Sequence, residues 1–154
     1  MANLIGEYDS KLDQKGRFLL PSALKKQLDP KDQDRFVMNR GFEGCLVLYP
    51  ASEWEKETAN MSKLNLYVAK NRKFYRQFHN GATVITPDNS GRILVPKSLK
   101  GYAEINKDLV LFAYANRIEL WAKDKYNAMM DDGIEDFADL AEDVMGSVND
   151  EEKQ

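Results

Sequence analysis

Asp13-Gln14-Lys15-Gly16-Arg17-Phe18-Leu19-Leu20-Pro21-Ser22-Ala23-Leu24-Lys25 returns 75 residues further on as Asp88-Asn89-Ser90-Gly91-Arg92-Ile93-Leu94-Val95-Pro96-Lys97-Ser98-Leu99-Lys100. Seven of the thirteen positions are identical and two more are apolar in both copies. The likeness continues more weakly downstream, where Phe36-Val37-Met38 answers Leu109-Val110-Leu111 and Leu46-Val47-Leu48-Tyr49 answers Ile118-Glu119-Leu120-Trp121. A unit of about 45 residues is thus present twice, and that duplication decides the architecture.

Each copy can be read locally. Residues 5–12 predict a first strand, followed by a polar turn in which Gly16 or Gly91 supplies the positive φ of a tight hairpin. Phe18-Leu19-Leu20, or Ile93-Leu94-Val95, is the short returning strand. Pro21 and Pro96 then stand where proline is best tolerated, at the first turn of a short helix. Two more strands follow in each copy, 35–39 with 45–49 and 108–113 with 117–121, turning at Glu43-Gly44 and Asn116-Arg117. Between the copies, Ser52 and Glu55 form a capping box that starts a helix near Glu53. A second helix over 68–79 spaces Phe74 and Phe78 four apart and stops at Asn80-Gly81. Ile134, Phe137, Ala138, Ala141, Val144 and Met145 recur at helical intervals and predict an acidic amphipathic helix, with 149–154 disordered.

A chain of 154 residues, 43% hydrophobic and 31% charged, suits one compact soluble domain or two small intertwined ones. No run of 18 apolar residues occurs, and Met1-Ala2-Asn3-Leu4-Ile5-Gly6-Glu7 has neither a basic flank nor a long apolar stretch, so neither a membrane span nor a signal peptide is expected. The single cysteine, Cys45, excludes an intramolecular disulfide framework and a cysteine-rich zinc site. These features predict a cytoplasmic protein. The net charge of −3 hides an asymmetry: residues 1–130 carry +6 and residues 131–154 carry −9. The body can meet a polyanion, whereas the acidic C-terminal stretch cannot.

The doubled D-x-x-G-R pattern, followed by three apolar residues and P-x-x-L-K, resembles the signature of the MraZ family of bacterial regulators. The match extends to Gly6-Glu7-Tyr8, to Arg40-Gly41-Phe42-Glu43-Gly44-Cys45-Leu46, to Tyr49-Pro50 through Trp54, and to Phe74, Phe78, Gly81 and Ala82. Each repeat is also similar to the swapped-hairpin module of AbrB-like regulators, in which two copies interleave into one small barrel that presents hairpin loops to DNA. The resemblance implies an α+β fold: two pseudo-twofold-related repeats, at 5–52 and 82–126, form the barrel. An inter-repeat helical segment at 53–81 joins them, and an acidic helix and tail at 127–154 follow. It further implies a nucleoid-associated regulator that binds double-stranded DNA upstream of a division and cell-wall gene cluster, represses by occupancy, and assembles as a ring-like homo-oligomer. No cofactor, metal, membrane or small-molecule partner is expected.

The physics of the turns agrees with that resemblance. Lys15 and Arg17 at one tip can reach phosphates or a guanine edge in the major groove. Arg92 should act likewise, with Gln14, Asn89 and Ser90 assisting. Asp13 and Asp88 are expected to accept turn amides or hold an arginine, beside Gly16 and Gly91. Ser90 replaces Lys15 in the second turn, so the two halves should contribute unequally. Taken singly, either turn reads equally well as an Asp–Arg bridge that does nothing else. Arg72, Lys73 and Arg76 read as solvated helix surface or a subunit contact ahead of DNA, and Lys25, Lys26 and Lys31 as plain surface. Trp54 and Trp121 read as packing residues, His79 as a helix end, and Cys45 as a buried filler within a strand.

Two other functions compete. A pair of aspartates across a pseudo-twofold axis is the plan of an aspartic protease, but an adjacent arginine keeps a carboxylate ionised and spoils proton sharing. No Ser-His-Asp set is available except through His79, and no phosphate loop or metal spacing occurs, so no catalytic residue is assigned. AbrB-like repeats also occur in antitoxins, which grip a partner protein as well as DNA. The acidic C-terminal helix could be a solvated amphipathic helix packed on its own body or on a neighbour, or it could repel or compete for DNA.

Overall fold

The computed structural model describes residues 3–132 and 136–152. Eight strands and six α-helices alternate along them: β1 (Leu4–Lys11), β2 (Arg17–Leu19), α1 (Ser22–Lys25), β3 (Phe36–Arg40), β4 (Leu46–Pro50), α2 (Ala51–Ala59), α3 (Ala69–Phe78), β5 (Thr83–Ile85), β6 (Arg92–Leu94), α4 (Lys97–Tyr102), β7 (Asp108–Ala115), β8 (Arg117–Ala122), α5 (Lys123–Asp131) and α6 (Phe137–Glu152). The chain divides after Lys123 into two compact units. All eight strands lie in the first.

The strands form an antiparallel six-stranded sheet, in the order β1-β7-β8-β4-β3-β5, and a separate two-stranded ribbon of β2 and β6. The six-strand order reads the same from either side when each strand is exchanged for its counterpart in the other repeat. A pseudo-twofold axis therefore passes between β8 and β4, where Leu46 faces Leu120 and Leu48 faces Ile118. Every ladder except β3–β4 and β7–β8 joins one repeat to the other, including β1 to β7, β5 to β3 and β2 to β6.

A closed barrel was the sequence expectation, and among the described residues the strands do not close. The sheet keeps two free edges, β1 and β5. β2 and β6 are three residues long and pair only with each other, so they do not bridge the two edges. On the edge strand β1, the side chain of Gln27 serves the backbone of Ile5, accepting from its amide and donating to its carbonyl, both at 2.9 Å.

Alternation along the strands separates the two sheet faces. One face carries Phe36, Met38, Leu46, Leu48, Leu109, Leu111, Ile118 and Leu120 into the core, where they meet Phe18 and Ile93 from the ribbon and Leu24 and Leu99 from α1 and α4. The opposite face carries Asn39, Val47, Tyr49, Arg117 and Glu119. There a cleft of about 290 Å³ opens, walled by Phe78, Tyr102 and Tyr114. The Tyr114 hydroxyl donates to Glu119 Oε2 at 3.0 Å, and burial together with that carboxylate pushes the phenol up to about 12. No local pattern announces this cleft.

Several local expectations shift. The returning strands begin at Arg17 and Arg92, one residue earlier than read. Pro21 and Pro96 are extended N-caps (ψ 140° and 142°) and precede the helical turn instead of opening it. The inter-repeat helix begins at Ala51, so Ser52 lies inside it. Buried Asp32 performs the capping from a distance, accepting from both the amide and the hydroxyl of Ser52. Cys45 is buried as expected but precedes β4, and its thiol donates to the Phe42 carbonyl at 3.3 Å. The C-terminal helix runs through Glu152, so 149–152 are helical where disorder was expected. Ile134, Lys153 and Gln154 lie outside the described residues.

The expectations for His79, Trp54 and Trp121 fit. The helix over 69–78 ends with His79 as its C-cap and Gly81 at φ 89°. His79 stacks on Tyr75 with ring centroids 4.2 Å apart. Trp54 is half-buried against Tyr49 and Phe78, and Trp121 is buried with its indole donating to Glu119 at 3.0 Å.

Candidate nucleic-acid interface

The ribbon brings the two sequence motifs together. In its register Arg17 faces Leu94, Phe18 faces Ile93, and Leu19 faces Arg92. Phe18 and Ile93 are buried, so the period of two turns Arg17, Leu19, Arg92 and Leu94 to the opposite, outer face. Gly16 and Gly91 stand at φ 82° and 80°, a region costly for residues with a Cβ. A Cβ at Gly16 would lie 3.9 Å from Leu94, and one at Gly91 4.0 Å from Leu19. A side chain added to either turn would thus meet the outer leucine of the other repeat.

Within each turn the aspartate organises the backbone. Asp13 Oδ1 accepts the amides of Lys15 and Arg17, both at 2.9 Å, and Asp88 Oδ1 accepts those of Ser90 and Arg92, also at 2.9 Å. The other oxygens hold guanidinium groups. Arg17 Nε donates to Asp13 Oδ2 at 2.9 Å, while its NH1 crosses to Asp88 Oδ2 at 3.2 Å. Arg92 reaches Asp13 Oδ2 at 3.6 Å and Asp88 Oδ2 at 3.9 Å, and its NH2 donates to Ser90 Oγ at 3.4 Å. Four charged side chains from two distant segments therefore form one array. The Arg17 amide, with the Arg17 guanidinium and the Lys15 amide, holds the Asp13 carboxyl below the usual carboxylate range against some desolvation. The Arg92 amide leads the same effect on Asp88, followed by the Ser90 amide and both arginines.

Such an array is electrically balanced, so a surplus of positive charge comes from its neighbours. Lys15 is exposed at the first tip and Lys11 lies at the end of β1 close by. Gln14 and Asn89 are exposed, and their side chains make no hydrogen bond among the described residues. The halves are unequal in a second way. The Arg17 side chain is 23% exposed and doubly hydrogen-bonded, whereas that of Arg92 is 37% exposed and more loosely held. Sequence reasoning missed the outer leucines, Leu19 and Leu94, both about half exposed. Alternation about Phe18 and Ile93 was the available signal.

Chemically the array presents guanidinium groups whose direction is set by carboxylates, the preparation that bidentate recognition of a base edge or phosphate needs. It is unsuited to general acid–base work, because both carboxyls are lowered where a shared-proton pair needs one raised. Among the described residues, no group of three or more His, Cys, Asp or Glu could hold a metal ion, and no helix is long and apolar enough to cross a membrane.

Fold and array define a class: a duplicated α+β protein that displays paired arginine turns on a two-stranded ribbon. The chain belongs to the MraZ family, whose model, also described as antitoxin-like, matches it twice, over residues 4–77 and 78–146. The chain is 47% identical over 153 residues to the transcriptional regulator MraZ of Flavobacterium psychrophilum, covering 99% of this chain and 98% of that one. It is 49% identical over 148 residues to the protein of that name from Christiangramia forsetii, covering 96% of each. With the one from Cytophaga hutchinsonii it shares 39% identity over 137 residues, covering 89% of this chain and 91% of that one. All three are named as transcriptional regulators and none for a catalytic activity.

Proposed function

We propose that this protein is a sequence-specific DNA-binding transcriptional regulator that represses a division and cell-wall gene cluster, its own gene included, by occupying short upstream repeats. The observation that carries the reading is the convergence of Arg17 and Arg92, 75 positions apart, onto the outer face of one ribbon. In this reading the turns are the DNA-facing tips of a swapped-hairpin, AbrB-like module built from residues 5–52 and 82–126. Arg17 and Arg92 contact bases or phosphates, with Lys15, Gln14, Asn89 and Ser90 around them. Asp13, Gly16, Asp88 and Gly91 shape the tips. Residues 53–81 join the repeats and 127–154 form an acidic appendage. Copies assemble into a ring in the cytoplasm and nucleoid, which sets many such tips along one DNA path. A second reading, an antitoxin that also grips a protein, draws on the family's antitoxin-like description.

The test is fluorescence anisotropy of labelled DNA from upstream of this gene, titrated at several salt concentrations. The wild type should bind with a steep salt slope and prefer that DNA to a scrambled duplex by about 100-fold or more. Arg17→Ala/Arg92→Ala should lose most of that preference while staying folded. Equal binding by the double mutant, or no binding by the wild type, would refute the assignment and favour a protein partner.

A further inference from the structure

Only half of the ribbon's outer face is cationic. Arg17 pairs with Leu94 and Leu19 with Arg92, so the four side chains form a square, with the arginines on one diagonal and the leucines on the other. Leu19 is 55% exposed and Leu94 51%. A Cβ placed at Gly16 would come within 3.9 Å of Leu94, and one at Gly91 within 4.0 Å of Leu19, so each leucine stands beside a turn. Residues directly opposite each other on such a pair have Cβ atoms about 4.5–5.5 Å apart. Base pairs rise about 3.4 Å per step, so an arginine and its paired leucine can reach adjacent ones.

The leucines restrict how this face can meet a duplex. A leucine side chain neither donates nor accepts a hydrogen bond, so it gains nothing from a phosphate or from the polar edge of a base. The apolar group that the major groove offers is the thymine C5-methyl. That groove is also the one a two-stranded ribbon enters, being about 12 Å wide against about 6 Å for the minor groove. Phe18 and Ile93 hold the ribbon's inner face on the core, so the square is the face left for insertion. Unlike Lys15 and Ser90, the leucine is the same in both halves.

We propose that Leu19 and Leu94 are sequence-reading residues, each covering the 5-methyl group of a thymine next to the base pair that its paired arginine contacts. The inference rests on the DNA-binding reading above and extends it from the charged tips to the whole outer face of the ribbon. Arginine then reads guanine or phosphate, and leucine adds a thymine that hydrogen bonding to the arginines does not select.

The test compares two duplexes of the same upstream sequence, one containing thymidine and the other deoxyuridine throughout, which removes only the methyl groups. Each is titrated by fluorescence anisotropy with the full-length wild type and with Leu19→Ala/Leu94→Ala. The wild type should bind the deoxyuridine duplex roughly tenfold more weakly, about fourfold for each methyl covered. The leucine variant should distinguish the two duplexes by less than about twofold, and its salt slope should match the wild type's, since leucine touches no phosphate. Both leucines are half exposed, so folding should survive, and circular dichroism checks that. The wild-type comparison needs no variant and decides the matter even if folding fails. Equal wild-type affinity for the two duplexes overturns the inference while leaving DNA binding intact. A leucine variant as sensitive to the methyls as the wild type, or one with a reduced salt slope, also overturns it and assigns the leucines to the shape of the ribbon. A wild type that binds neither duplex removes both the thymine contact and the DNA-binding reading.

Discussion

Asp13 shows how much one side chain arranges. Its carboxylate closes the turn by accepting the amides of Lys15 and Arg17 and aims the Arg17 guanidinium. Since its carboxyl is held below the usual range in the fold, its contribution is complete above the ordinary carboxylate pKa and disappears as pH falls through the lowered folded value. NMR of the Lys15 and Arg17 amides should therefore show the turn intact from neutrality through mildly acidic solution. Their shifts should move only below pH ~3.9, the ordinary aspartate pKa. Movement at a higher pH would mean that the bonds are not formed in solution. The Asp–Arg partnership within a turn was legible because D-x-x-G-R places both ends four residues apart. The crossing of Arg17 to Asp88 was not, since nothing local links positions 71 apart. Nor does local sequence announce that Asp32 caps the helix holding Ser52.

At the scale of elements, the ribbon depends on two small hydrophobic anchors. Phe18 and Ile93 are paired, buried, and set between outward residues on three-residue strands. Phe18→Ala should cost about 3–5 kcal/mol in urea denaturation, and Ile93→Val about 0.5–1.5 kcal/mol. A Cβ at Gly16 would make only ordinary van der Waals contact, so the cost of Gly16→Ala should be the backbone's alone, about 1–2 kcal/mol. If Phe18→Ala proved nearly neutral, the ribbon would not be packed on the core as described. The strands β3, β4, β7 and β8 were readable because their apolar runs recur in both repeats and are separated by turn residues. Which strands pair was not readable, because a three-residue strand such as β2 carries no register information of its own.

For the whole molecule, the palindromic strand order means that each repeat keeps only one ladder of its own, β3–β4 or β7–β8, and finds its other strand partners in the other repeat. Cut between the halves, at residues 77 and 78, each fragment would lose most of its ladder partners at once. Separately expressed fragments should show little cooperative unfolding, and mixing them should restore the far-ultraviolet dichroism and melting transition of the intact chain. Fragments that each fold fully as monomers would contradict the cross-repeat ladders. The duplication was visible from thirteen aligned positions, but the openness of the sheet was not, since closure depends on pairing between strands distant in sequence. One detail at its margin bears on what such a sheet avoids. The outermost strand, β1, is eight residues long, and a bare rim of that length is a template on which further chains can stack without limit, the route to fibrils. The Gln27 carboxamide has the same donor and acceptor as a peptide group, and it occupies Ile5 as a counterfeit next strand. An arriving chain finds that rung taken, which raises the cost of adding a strand along this rim.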